Sequence, residues 1–124
     1  MKELQKEQYV IYEPYLKKVY ENPVNFNVSY GVDFYFKFPD LVDMKQCCFN
    51  QEKSALRKLR KLRSAYLEGN RNRQTYRSRI FVGEDSPEGL HRPNQQEFET
   101  ELLSIFDRHY VVRKVLTTIQ ILDE

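Results

Sequence analysis

The chain has no tryptophan, and only two cysteines and two histidines in 124 residues. That scarcity removes whole classes of chemistry. His91 and His109 form no local metal motif with the cysteines, because neither CxxC nor HxxxH spacing occurs. Cys47 and Cys48 are adjacent, and a bridge between neighbours closes a strained ring. Beside Phe49 they read as buried packing rather than as a nucleophile or a metal ligand. With no third cysteine, and a charged first segment lacking an apolar run, the expected compartment is reducing and cytoplasmic. No apolar stretch approaches the roughly 20 residues that span a bilayer, so no membrane role is expected. Four glycines and five prolines are too few for a low-complexity linker. Neither a phosphate-cradling glycine loop nor a dinucleotide fingerprint is present. The reading is of a protein that is not an enzyme, with no catalytic residues, no metal and no cofactor.

Against these absences stand nine tyrosines and eight phenylalanines, an aromatic fraction of 14%. Disordered chains lack such rings, and rings bury large area per residue, so a folded chain is expected. Its length suits a single domain, residues 1–124.

Residues 2–21 read as helix, with Leu4, Gln8, Ile11 and Tyr15 at spacings of three and four. Pro14 either kinks that helix or opens a second one. Over 24–38 the period becomes two. Val24, Phe26, Val28, Tyr30, Val32, Phe34, Phe36 and Phe38 take every even position, the mark of a half-buried strand. Ser29, Tyr30 and Gly31 leave open whether this is one strand or a hairpin. A short helical turn is expected over 40–48. Asn50 then caps a helix that reaches Leu67 and stops at Gly69 and Asn70. Residues 73–82 read as a strand, 83–89 as a loop, and Asn94 with Glu97 as a capping box opening a third helix. The β-branched segment 110–122 reads as a strand, with a helical continuation as the alternative. The sum is an α+β chain with one mixed or antiparallel sheet and about three helices on one face. Phe26, Val28, Phe34, Phe36, Leu59, Leu62, Ile80, Phe98 and Leu102 are the expected core.

The charge is unevenly spread. Segment 57–79 holds Arg57, Lys58, Arg60, Lys61, Arg63, Arg71, Arg73, Arg77 and Arg79 against the single acid Glu68, a local charge of +8 in a chain of net charge +2. On a helix, Leu56, Leu59, Leu62 and Tyr66 form the inward stripe. Arg57, Arg60, Lys61 and Ser64 then point away, with Lys58 and Arg63 on the flanks. On a following strand, positions 71, 73, 77 and 79 share one face. Guanidinium groups match phosphate with two parallel hydrogen bonds, and Tyr66 and Tyr76 are near enough to stack on bases. The sequence therefore points to a small nucleic-acid-binding or accessory protein, for DNA or RNA. Its expected site is Arg57, Arg60, Lys61, Arg63, Arg71, Arg73, Tyr76, Arg77 and Arg79. Two alternatives use the same region. One is an adaptor or inhibitor that docks an acidic protein surface. The other is a metal-dependent nuclease drawing on Glu84, Asp85 and Glu88. A homodimer formed through Tyr9, Tyr12, Tyr15 and Tyr20 is a further expectation.

Overall fold

The computed structural model describes residues 2–27, 30–81 and 95–122, and for Lys2 and 72–81 the backbone alone. Its strands are β1 (Lys2–Glu13), β2 (Lys18–Tyr20), β3 (Phe36–Lys37) and β4 (Val111–Ile121). Its helices are α1 (Met44–Cys47), α2 (Glu52–Phe81) and α3 (Gln95–His109). The strands form one antiparallel sheet in the order β3-β2-β1-β4. The α+β class is as the sequence indicates, and β4 coincides with the strand read over 110–122.

The helix expected over 2–21 is instead a hairpin. Lys, Glu and Gln favour helix in isolation, but β1 pairs with β4 from Lys2↔Ile121 to Tyr12↔Val111, and that ladder overrides local propensity. Pro14 opens the turn 14–17 between β1 and β2. The buried carboxylate of Glu13 builds that turn, accepting the N–H groups of Tyr15 at 2.7 Å and Leu16 at 2.8 Å. Lys17 completes the reversal with φ of 59°.

Among the described residues, the strand expected over 24–38 survives only as Phe36–Lys37. Gly31 takes φ of 81°, and Val32–Tyr35 then winds into a 3-10 turn. A 3-10 turn aligns positions three apart, so Val32 and Tyr35 are both buried while Phe34 between them is 61% exposed. Alternation in sequence thus did not become alternation in space. Phe34 is no core residue; it stacks on Tyr30 and meets Tyr35 edge-on.

The core lies between the sheet and the two long helices. Ile11, Tyr20, Phe36, Leu62, Phe106 and Tyr110 are its centre, with Val32 and Tyr35 closing one end. Phe36 and Leu62 are buried as expected, and Phe26, Leu59, Phe98 and Leu102 are half-buried. Val28, the side chain of Ile80, the loop 83–89 and Asn94 lie outside what the structure describes. Ile11 pairs with Val112, so both turn the same face of the sheet toward the core.

The other face carries Val10, Tyr12, Val19 and Val115. With Pro39, Val42, Met44 and Cys47 they border a largely apolar cavity of about 340 Å³. Phe49 bridges to Tyr9 through two backbone hydrogen bonds of 2.8 Å, tying this covering segment to β1. Cys47 is buried and both cysteines are free thiols. Burial, and then the neighbouring Cys48 thiol, push the Cys47 thiol up to about 12, which disfavours the reactive thiolate.

Candidate nucleic-acid interface

The basic segment is continuous helix. Residues 73–82, expected as a strand, continue α2 as far as Phe81. Gly69 and Asn70 do not stop the helix. Gly69 is buried where Tyr30, Gly31, Val32 and Asp33 approach, one turn from Ala65, so the missing side chain makes room for that loop. The amide of Asn70 donates back to the carbonyl of Tyr66 at 2.8 Å, keeping it inside the helical ladder. The glycine serves packing rather than capping. Consequently positions 71, 73, 77 and 79 do not share a strand face. At about 100° per residue, positions 73 and 77 fall on the opposite side of the backbone from 57, 60, 61, 71 and 79.

The first three turns match the sequence reading. Ala55 and Leu62 are buried, and Leu56, Leu59 and Tyr66 are half-buried. Arg57, Arg60, Lys61 and Ser64 are exposed on the opposite side. Lys58 turns along the flank, its Nζ 5.7 Å from the Tyr20 ring centroid. Burial, and then the charge of Lys61, lower its pKa. Sequence reasoning missed Lys53, which is exposed one turn before Arg57. The signal was available, since 53, 57 and 61 form an i, i+4, i+8 row.

Two expected phosphate ligands are already engaged. Arg63 grips Asp107 with two hydrogen bonds, 2.9 and 3.1 Å long. Arg71 grips Glu99 in the same forked manner, through Nε to Oε1 and through Nη2 to Oε2 at 2.9 Å. The two pairs are two turns apart on each helix and in reverse order, so α2 and α3 run antiparallel. Tyr66 is also committed elsewhere: its ring packs on Phe106, with centroids 5.4 Å apart. The side chains of Arg73, Tyr76, Arg77 and Arg79 lie outside the described set. What the fold brings together in the open is therefore Arg57, Arg60 and Lys61, with Lys53 added. None of these four makes an ion pair among the described residues.

The Arg71 guanidinium, and then the Gln95 amide, hold the Glu99 carboxyl down to about 2 from its usual 4.5. A depressed carboxylate pKa means stability that is complete above about pH 4.5 and lost as pH falls toward 2. Glu99→Gln is therefore expected to melt below the wild type at pH 6 and together with it near pH 2. Thermal denaturation followed by circular dichroism checks this. A gap of equal size at both values would assign the effect to packing instead.

The tyrosines proposed for a dimer divide. Tyr20 is fully buried, Tyr9 and Tyr12 are half-buried in β1, and Tyr15 is 65% exposed beside the His109 ring. The acids Glu84, Asp85 and Glu88 and the histidine His91 lie outside the described residues. Among those described, no three His, Cys, Asp or Glu side chains gather where they could hold a metal ion. No helix among them is long and apolar enough to cross a membrane. Neither a protein-family model, nor a curated protein, nor a solved structure matches this chain.

Proposed function

We propose that this is a non-enzymatic nucleic-acid-binding protein that grips phosphates through the outward face of α2. The observation that carries the reading is the exposed row Lys53, Arg57 and Lys61 with Arg60 beside it. Like charges one turn apart destabilise a helix by roughly 0.2–0.5 kcal/mol per pair. A polyanion laid along the row removes that repulsion and releases its own counterions. Four contacts predict a log–log salt slope of about −3.6 on duplex DNA. Fluorescence anisotropy with labelled single- and double-stranded DNA and RNA measures it. Absence of binding to all of them at low salt would overturn the proposal.

A second reading is an adaptor or inhibitor that docks an acidic protein surface by the same face. The Arg63–Asp107 and Arg71–Glu99 forks favour it, because they are the contacts that such docking would repeat. The two readings part over competition. Any polyanion displaces nucleic acid with steep salt dependence, whereas a single acidic partner is held with moderate salt dependence and by aromatic anchors.

A further inference from the structure

We propose that β4 is a self-association edge, pairing antiparallel with β4 of a second copy about a two-fold axis at Thr118. β4 is the outer strand of the sheet, and it has 11 residues. Edge strands of monomers are ordinarily kept apart by inserted lysine, proline, a bulge or short length. Here residues 115–121 read Val, Leu, Thr, Thr, Ile, Gln, Ile, with no charge, proline or glycine, in a chain that is 31% charged. Leu116 and Ile119 on that stretch are 59% and 57% exposed, and Leu4 of β1, which pairs with Ile119, is 57% exposed.

The occupant follows from charge and register. Two-fold antiparallel pairing keeps each face of the sheet continuous only when a residue lies opposite itself or its own parity. An axis at Thr118 sets the whole uncharged stretch against itself: Val115 faces Ile121, Leu116 faces Gln120, Thr117 faces Ile119, and Thr118 faces Thr118. Three of these four, all but Leu116 with Gln120, are pairs of β-branched residues of the kind that stabilise sheets. The cations of β4, Arg113 and Lys114, fall beyond the stretch and never meet their copies. Ile119, Ile121 and Leu4 of both molecules then line one shared face. Seven residues span about 24 Å of edge, less than a standard interface of about 800 Å² per partner requires. The dimer is accordingly concentration-dependent.

Sedimentation velocity from about 1 to 300 µM, the range of micromolar affinity, tests this. The wild type is expected to rise from the monomer mass of 15.0 kDa toward twice that. Thr118→Lys sets two ammonium groups against each other and is expected to stay monomeric with an unchanged circular dichroism spectrum. Thr118→Cys is expected to cross-link on mild oxidation, since directly opposed strand residues lie within disulfide reach. Lys114→Cys, opposite Leu122 in this register, is expected to cross-link no more than wild type. A wild type that is monomeric throughout would overturn the proposal. So would a dimer that survives Thr118→Lys, or cross-linking through Lys114→Cys equal to that through Thr118→Cys.

Discussion

Phe106→Ala is expected to cost about 3–5 kcal/mol of folding stability, the range for emptying a buried phenylalanine site. Phe106 is 1% exposed and joins α3 to both neighbours. Its centroid lies 4.7 Å from Tyr110, just before β4, and 5.4 Å from Tyr66 on α2. Phe34→Ala is the control. Phe34 is 61% exposed, and its contacts are ring edges and faces worth about 0.5–1.5 kcal/mol. Urea denaturation of both variants should separate them by at least about 1.5 kcal/mol. Equal losses would mean that the centre of the core lies elsewhere than between Ile11, Leu62 and Phe106.

The second large effect concerns binding. Reversing Arg57, Arg60 and Lys61 to glutamate is expected to weaken nucleic-acid binding by at least about 10³-fold at 50 mM salt, from lost counterion release alone. The salt slope should fall by about one per residue removed. All three side chains are exposed, where substitutions usually change stability by no more than about 0.5 kcal/mol each. The melting temperature therefore reports whether the variant remains folded while binding is lost. Arg63→Gln provides the contrast. That guanidinium is spent on Asp107, so its removal should loosen α2 against α3 and leave the salt slope nearly unchanged. A variant with Arg57, Arg60 and Lys61 reversed that binds as the wild type does would move the phosphate contacts off this face.

The elements legible in the sequence were those in which local preference and tertiary context agree. β4 is β-branched and strand-forming throughout, and the first three turns of α2 carry a leucine stripe that meets the core. The misread elements were those in which the two conflict. Apart from Leu4, the first half of β1 is polar on both faces, so it shows no period of two, and its strand state comes from a partner more than a hundred residues away. Residues 24–38 alternate well, yet Gly31 and the 3-10 turn after it send Phe34 outward and Tyr35 inward. Gly69 looked like a stop because glycine usually ends helices, and only the approach of Tyr30 and Gly31 explains it as packing. The candidate site was legible as a charge cluster but not as a surface. Which arginines stand free depends on where Asp107 and Glu99 lie, and those acids belong to a different helix.

The ladder between β1 and β4 also governs how this chain reaches its fold. Thr117 hydrogen-bonds Gln8 across 109 residues of sequence, and every rung joins the two ends of the described chain. Closing so long a loop is entropically unfavourable before any contact rewards it, and folding slows as contacts become more distant in sequence. The antiparallel pair α2 and α3 has far shorter connections to close. Helices are therefore expected to form early, with the central strand of the sheet completed last. During synthesis β1 emerges long before β4 exists to pair with it. Its Val10 and Ile11, buried in the finished sheet, must wait uncovered, which makes the nascent chain itself a state exposed to aggregation.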